Sequence, residues 1–380
     1  MKKVFVYFKK EMMLTVSLIA AAAGLIITPP GEGFFAGIDW RTLGTLLMML
    51  CVLEGFKKEN VLRPVVNLAS GIKTKAALSL FLIFGVFFTS MFVTNDVSLI
   101  IFVPLTIMLF RSGECEKYIL PVISMENIAA IRGSLLTPFG SPQNLFLYGQ
   151  AKGIGFSHFV LHMLPLSVMS AALLIIFVTV LYRGKIKEGI TFTHNDETWL
   201  PERKPQRITY LVLFAGVLAV IVTRTSLWWA ALALVIAVIF IADRRIFLRV
   251  DYVLILTFLC FFIFSSSIAG NEKISAFLGR SVGGREYFWA IGLSQVISNV
   301  PASIVLYPFT KNFAGLIYGA DTAGLCSLIG SLASVINYRI YVKEYPGNGL
   351  KFVRTFTLVS WAFFAVVVIP GYLLSKWKFF

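Results

Sequence analysis

Two short polar segments, one in each half of the chain, interrupt apolar stretches and carry side chains that can bind an ion. Their residues are Thr94, Asn95 and Asp96 in the first half and Ser298, Asn299, Val300 and Pro301 in the second. The two asparagines lie 204 residues apart. Hydroxyl and carbonyl oxygens can hold a cation. A helix that begins at such a segment points unpaired N–H groups and a positive dipole end at an anion. The segments therefore predict a binding site for a small ion or an anionic molecule.

A Gly-Ser pair follows each polar segment, inside an apolar run that cannot continue as one regular helix. The predicted loop residues are Gly140, Ser141, Pro142, Gln143 and Asn144 in the first half and Gly330, Ser331 and Ser334 in the second. The two glycines are 190 residues apart, and residues 137–144 combine two prolines with a glycine. Since proline and glycine interrupt helices, we predict two broken helices whose loops complete the site.

Three charged residues fall within apolar runs, namely Asp96, Glu126 and Arg132. Charges at membrane depth are costly and usually mark functional sites. Asp96 can hold a cation, carry a proton or cap its helix. Arg132 can bind an anion or form a structural ion pair with a carboxylate such as Glu126. These two residues are six positions apart and do not share a helix face, so pairing between them needs a bend or another helix.

The composition is that of a membrane protein that crosses the bilayer several times. Of the 380 residues, 58% are hydrophobic, 14% are charged and 35 are phenylalanine, which excludes an ordinary soluble domain. The net charge of +15 comes from basic residues in short loops between apolar runs. Such residues are topology signals, so we expect a lipid bilayer and no nucleic acid as partner. The four scattered cysteines predict neither a disulfide framework nor a zinc site.

The polar segments are predicted to be the tips of two re-entrant helical hairpins. Around the second tip, the apolar runs 287–297 and 300–310 have 11 residues each, about 16 Å as helix, which is short for a bilayer core roughly 30 Å thick. Around the first tip, the return run 97–110 has 14 residues, about 21 Å, whereas the run 76–93 is long enough to span. Non-helical backbone at such depth must be buried in protein or line a wet cavity.

The distribution of basic residues predicts the topology. With the N-terminus in the cytoplasm and both hairpins re-entrant, 24 of the 34 Lys and Arg residues lie inside and nine outside, as the positive-inside rule expects. The first hairpin then opens inward and the second outward, so the halves form two inverted repeats, as in many transporters. The predicted divisions are an N-terminal transmembrane helix with an outer loop (1–38), the first repeat (39–182), a cytoplasmic linker with two connecting helices (183–250) and the second repeat (251–380).

Three motifs resemble those of a known group of membrane proteins. They are L-L-T-P-F-G-S-P-Q-N-L at Leu135–Leu145, T-N-D-V at Thr94–Val97 and I-G-L-S-Q-V-I-S-N-V-P at Ile291–Pro301. In combination they resemble the citrate-transporter-like permeases of the ion transporter superfamily, which include divalent-anion symporters, arsenite permeases and one class of sodium/proton antiporter. The likeness runs from about Asp39 to the C-terminus and is strongest to a bacterial inner-membrane permease subgroup of similar length.

The resemblance implies substrate and sodium binding near the tips and broken loops, a homodimer, and an elevator-like movement of a transport domain. Dicarboxylate symporters of the group read Ser-Asn-Thr at each tip. Here Asp96 adds a negative charge, Val300 lacks the hydroxyl, and Ser141 stands where many relatives have asparagine. The motifs therefore identify the superfamily and leave the substrate open.

Together these features predict a secondary active transporter of the cytoplasmic membrane that moves a small organic or inorganic anion. Coupling to sodium or protons is expected, with no other cofactor and no bound metal except sodium at the tips. The alternative is a cation/proton antiporter in which Asp96 carries the ion or the proton. A membrane-embedded enzyme is disfavoured, because no nucleophile, metal or acid–base motif is recognisable. A channel is a further alternative.

Overall fold

The computed structural model describes residues 12–31, 34–59, 68–151, 153–191 and 207–377. Within these ranges the chain forms sixteen α-helices and no β-strand beyond a single bridge between Thr74 and Gly189. This confirms the predicted all-α class. The predicted basic N-terminus, at residues 1–11, and most of the predicted linker, at residues 192–206, lie outside the described residues.

The longest helices expose apolar side chains, as expected for helices in contact with lipid. In chain order the helices are α1 (Met12–Ile27), α2 (Trp40–Lys58), α3 (Lys75–Val93), α4 (Asn95–Ser112), α5 (Ile119–Ser134), α6 (Pro142–Gln150), α7 (Phe156–Leu181), α8 (Arg207–Thr223), α9 (Trp228–Asp243), α10 (Tyr252–Gly270), α11 (Glu272–Val282), α12 (Glu286–Ile297), α13 (Asn299–Leu306), α14 (Phe313–Ala323), α15 (Leu332–Glu344) and α16 (Gly349–Ser375). Among the described helices, α3, α4, α7, α10 and α16 are long and apolar enough to cross a membrane. Exposed Ile176 on α7 and Ile369 on α16 belong to this apolar surface. The chain is an all-α polytopic membrane protein.

Both predicted hairpins are present, but each tip is one residue rather than three or four. Thr94 joins α3 to α4, and Ser298 joins α12 to α13. The other predicted tip residues form the first turns of α4 and α13; they are Asn95, Asp96, Asn299, Val300 and Pro301. Proline is tolerated in a first turn because the N–H that it lacks has no intrahelical partner there.

The predicted length of the first return arm was wrong. The helix α4 has 18 residues, about 27 Å, since it includes two tip residues at its start and Arg111 and Ser112 at its end. A basic side chain is favourable in the last turn of a helix, which explains the extension beyond Phe110. In the second hairpin, α12 has 12 residues and α13 has eight, so both are too short to cross a bilayer core.

Two helices break where the Gly-Ser pairs occur. The helix α5 ends at Ser134 and resumes as α6, while α14 ends at Ala323 and resumes as α15. The first break therefore covers residues 135–141, slightly earlier than the predicted 137–144. The difference arises because Pro142 takes the first position of α6, where its fixed φ favours a helix start.

The two halves pack against each other reciprocally. Within each half, the first hairpin arm packs on the helix before the break, with α3 on α5 and α12 on α14. Between the halves, each second arm packs on the helix after the other break, with α4 on α15 and α13 on α6. Around this centre, α1 packs on α10, α2 packs on α8 and α9, and α16 packs on α5, α7 and α14. This reciprocal packing between the halves brings the tips and breaks of both halves close together.

Candidate functional site at the hairpin tips

Both hairpin tips adopt a backbone conformation that residues with side chains rarely tolerate. Thr94 has φ 74° and ψ 152°, and Ser298 has φ 68° and ψ 160°. This region is essentially restricted to glycine, and holding another residue there costs about 1–3 kcal/mol. The same strained conformation thus recurs at corresponding positions of the two halves. Retained strain of this kind clusters at functional sites.

Each tip is tied to the break of its own half by the same backbone hydrogen bond. The Asn95 N–H donates to the carbonyl oxygen of Gly140, and the Asn299 N–H donates to that of Gly330, both with an N···O distance of 3.2 Å. The first N–H groups of a helix have no intrahelical acceptor, so the break supplies one at each tip. The two polar features found in the sequence of each half are therefore in contact.

Close backbone approach requires glycine at both breaks. A Cβ atom at Gly140 would lie 2.4 Å from the carbonyl oxygen of Ser134, and one at Gly330 would lie 2.2 Å from that of Ala323. Each break therefore turns back over the last turn of the helix that precedes it. Any side chain at these positions would collide with that backbone, which explains the glycine of each Gly-Ser pair in the sequence.

Some of the predicted ligand residues at the breaks hydrogen-bond to the backbone of the break. Others have side-chain oxygens without a hydrogen-bond partner among the described residues. The Asn144 side chain donates to the Ser134 carbonyl oxygen at the end of α5, at 3.1 Å. The Ser334 hydroxyl donates to a carbonyl oxygen just after α14, at 3.4 Å. The Oγ of Ser141, Oε1 of Gln143 and Oδ1 of Asn144 are buried without a hydrogen-bond partner among the described residues. The end of the first break and the start of α6 therefore hold three buried oxygens of the type that binds a hard cation.

One cavity of about 190 Å³ lies between the second tip and the first turn of α4. The predicted site residues on its wall are Asp96, Ser298, Val300 and Pro301. Two charged residues that were not predicted, Asp251 and Arg339, also line it, together with apolar side chains of α10 and α15. Asp251 accepts a hydrogen bond from the Leu254 N–H at the start of α10, so the sequence signal available for it was that of a helix cap. Residues 140–144, at the end of the first break and the start of α6, are not on this wall. The other predicted tip and break residues that are not on it are Thr94, Asn95, Asn299, Gly330, Ser331 and Ser334.

The cavity offers groups for both signs of charge. Neither Thr94 nor Ser298 caps the helix that it precedes, so both helices keep positive dipole ends. In α4 the Asp96 N–H donates to Oδ1 of Asn95 at 2.9 Å, and Asp96 adds a carboxylate, so the start of α13 is the better place for an anion. Asp96 has one carboxylate oxygen, Oδ1, that is buried without a hydrogen-bond partner in the described structure. A small anion and a cation can therefore both be accommodated at the tips.

Arg132 does not pair with Glu126, and that suggested partnership was wrong. Its guanidinium forms an ion pair with Asp321 on α14, and both side chains are fully buried. Glu126 instead accepts a hydrogen bond from the Thr106 hydroxyl on α4. Asp321 was not predicted as a site residue; it occupies the last turn of α14, as Arg132 occupies the last turn of α5. The correspondence between the two halves was the signal that could have found it.

Comparison with known proteins identifies the family. Residues 4–330 match the family model described as citrate transporter. The chain belongs to the citrate transporter family. Among its relatives, Inner membrane protein YbiR of Escherichia coli (strain K12) is 32% identical, with 83% of this chain and 86% of that protein aligned. Uncharacterized transporter MJ0456 of Methanocaldococcus jannaschii is 29% identical over 93% and 94% of the two chains.

The third relative is the 46 kDa membrane protein of Mycobacterium leprae, 23% identical over 84% of each chain. Membership of the citrate transporter family confirms the resemblance found in the motifs. Together with the apolar helices, it makes this chain a multi-pass membrane transporter of a small molecule rather than an enzyme.

Proposed function

We propose that this citrate transporter family member is a secondary active transporter that carries a small anion across the cytoplasmic membrane, coupled to sodium or protons. One observation carries the proposal: two strained tips, each followed by an N–H group that is hydrogen-bonded to the glycine of a helix break, flank a cavity lined by Ser298 of the second tip and by Asp96 beside the first. Irregular backbone at membrane depth is tolerated where it lines a cavity. In transporters, discontinuous helices meet at the substrate and ion sites.

The groups around the tips support binding of an anion together with a cation. The positive ends of α4 and α13 and the guanidinium of Arg339 favour an anion in the cavity. The hydroxyl and amide oxygens of the tips, with the carboxylate of Asp96 beside them, favour a cation. An anion that arrives with its coupling cation thus leaves little net charge inside the membrane, where an isolated charge is costly.

Alternating access of the elevator type is the movement that we propose. We place the N-terminus in the cytoplasm and treat the halves as inverted repeats, within a homodimer. In this orientation Asp251 and Arg339 lie towards the cytoplasm, so we assign the structure to an inward-facing state. On the outer side, the Gln150 amide donates to Asp39 at 2.7 Å. We propose that the outward movement breaks this contact between α6 and the start of α2.

The proposal is tested by replacing the tip asparagines. Asn95→Ala and Asn299→Ala are each expected to lower the affinity for the transported anion by about tenfold to a hundredfold, the equivalent of one lost hydrogen bond to a charged group. The assay is thermal stabilisation of purified protein by citrate, succinate, malate, sulfate or arsenite, each in sodium and in potassium buffer. Uptake into proteoliposomes follows for each anion that stabilises.

Asn348→Ala is the matched control, because Asn348 is exposed and its side chain does not cap α16. It should bind and transport as the unmodified protein does. Full transport by both tip variants would refute the site. Transport that does not saturate and needs no gradient of a second ion would instead indicate a channel.

A cation/proton antiporter is the second candidate, favoured by the unpartnered oxygen of Asp96 at the cavity. In that case Asp96→Asn is expected to abolish sodium-driven proton movement in vesicles, since the amide can neither release a proton nor balance a cation. Stabilisation by sodium alone, lost in Asp96→Asn, would support the antiporter. Stabilisation by an anion that survives this substitution would exclude it.

A further inference from the structure

Glu126 is a buried carboxyl group that the proposed anion site does not use. It lies in the middle of α5 with no exposed surface. Its Oε1 accepts the hydroxyl of Thr106 on α4, which is also fully buried. Its Oε2 is buried and has no hydrogen-bond partner among the described residues. The group is therefore half satisfied, by a neutral partner, in the interior of a membrane protein.

No described basic side chain forms an ion pair with Glu126. The basic residues of α3, α4 and α5 are engaged elsewhere: Lys75 with Glu188, Arg111 with Glu344, and Arg132 with Asp321. The other elements packed on α5 carry His158, His162, Arg339, Lys343, Lys351 and Arg354 on helices and Lys117, beside Glu116, on the 3-10 turn before α5, and no ion pair joins any of these basic residues to Glu126. Asp96 and Glu344, the acidic residues on those helices, cannot balance a carboxylate. An ionised Glu126 would thus be an uncompensated buried charge, which costs several kcal/mol or more.

We propose that Glu126 is the proton-binding site that couples proton movement to transport. The inference rests on the proposed function and specifies its coupling ion. In this conformation the carboxyl group is neutral, with its proton on Oε2. A hard cation such as sodium is held by several oxygens, whereas Thr106 is the one described hydrogen-bond partner here. Release of the proton leaves a carboxylate, so it requires a conformation in which water reaches α5 and accepts the proton.

The surroundings of Glu126 connect it with both halves of the fold. Thr106 lies on α4, the helix that starts at the first tip, about 16 Å away along the helix. The next residue, Asn127, donates from its side chain to the Ser334 hydroxyl on α15 at 3.0 Å, and Ser334 in turn contacts the second break. A change of charge at Glu126 therefore acts on the contact between α4 and α5, next to the residue that links α5 to the second break.

The first experiment detects the proton without any substrate. Infrared spectra of the purified full chain near neutral pH should contain the band of a buried protonated carboxyl group. The band should be missing in Glu126→Gln and shifted in Thr106→Val, which removes the hydroxyl donor. Glu344→Gln, on an exposed carboxylate, is the matched control and should leave the band unchanged. Identical spectra for unmodified protein and Glu126→Gln would overturn the proposal, whether or not transport is observed.

The second experiment measures coupling in proteoliposomes loaded with a pH-sensitive dye. Each anion of the panel that stabilises the protein is supplied outside, with a proton gradient and without sodium. Anion-dependent proton uptake should fall in Glu126→Gln to the level of protein-free vesicles, while Glu344→Gln keeps it. Proton uptake that persists in Glu126→Gln, or uptake driven by sodium alone, would overturn the proposal. If no anion stabilises or moves, the proposed function fails instead, and the infrared result still decides the proton site.

Discussion

Asp321→Ala is expected to lower the free energy of unfolding by about 3–5 kcal/mol, because it leaves a buried guanidinium without its counter-charge. Arg132 and Asp321 join the last turns of α5 and α14 and are fully buried. Besides Asp321, Arg132 has a 3.4 Å contact with the Thr322 hydroxyl, and its Nε lacks a hydrogen-bond partner among the described residues. Little in the described surroundings can therefore replace the lost carboxylate.

The measurement is the unfolding of purified protein in detergent, compared among single and double variants. Arg132→Met combined with Asp321→Leu should recover most of the lost stability, since no unpaired charge is left. The control is Glu344→Ala, which breaks the Arg111–Glu344 pair, whose side chains are 45% and 42% exposed. Exposed pairs contribute about 0–1 kcal/mol, so this control should change little. An Asp321→Ala protein as stable as the control would contradict the assigned role of the pair.

Gly330→Ala is expected to reduce transport by about a hundredfold, a typical result when functional groups are displaced by about 1 Å. The new Cβ would lie 2.2 Å from the carbonyl oxygen of Ala323, so the backbone of the break must move. That same residue supplies the carbonyl oxygen that holds the Asn299 N–H. Its displacement therefore reaches the second tip directly. Gly140→Ala, with its Cβ 2.4 Å from the Ser134 carbonyl oxygen, should act in the same way on the first tip.

Gly292→Ala is the matched control, since a Cβ at this position of α12 would meet no atom within 4 Å. Alanine in a helix is favoured over glycine by about 1 kcal/mol, so the control should be as stable as the unmodified protein or slightly more so. Uptake into proteoliposomes and melting temperature are measured for all three variants. If Gly330→Ala transports at the rate of Gly292→Ala, close packing at the break does not position the tip.

Local chemistry made the tips and breaks predictable from the sequence. A polar pair followed by proline within an apolar run, as at Asn299 and Pro301, has few structural solutions inside a membrane. Glycine beside serine in a second interrupted run indicates a close turn. What this chemistry could not supply was the extent of each tip. Asn95 and Asp96 have side chains that suit a turn, yet they continue as helix because Thr94 alone absorbs the reversal.

The contacts between the halves could not be predicted in the same way. Asp321 lies within an apolar run, as Arg132 does, but nothing local identifies its partner, which is 189 residues away in the chain. Asp251 directly precedes α10 and Arg339 lies within α15, and only the packing of these two helices brings both charges to the cavity. Contacts between residues far apart in the chain determine which charges meet, and no local sequence pattern indicates those contacts.

Because the two halves pack on each other reciprocally, the first half cannot complete its packing during synthesis until the second half has been made. The helix α4 packs on α15, and Arg132 pairs with Asp321, so neither has its partner until the second break has been synthesised. At a synthesis rate of about 5–20 residues per second, the interval for those 189 residues is about 10–40 s. During that time the nascent chain holds an unmatched arginine within an incomplete bundle. Its insertion therefore depends on water, lipid headgroups or the insertion machinery to shield that side chain until Asp321 has been synthesised.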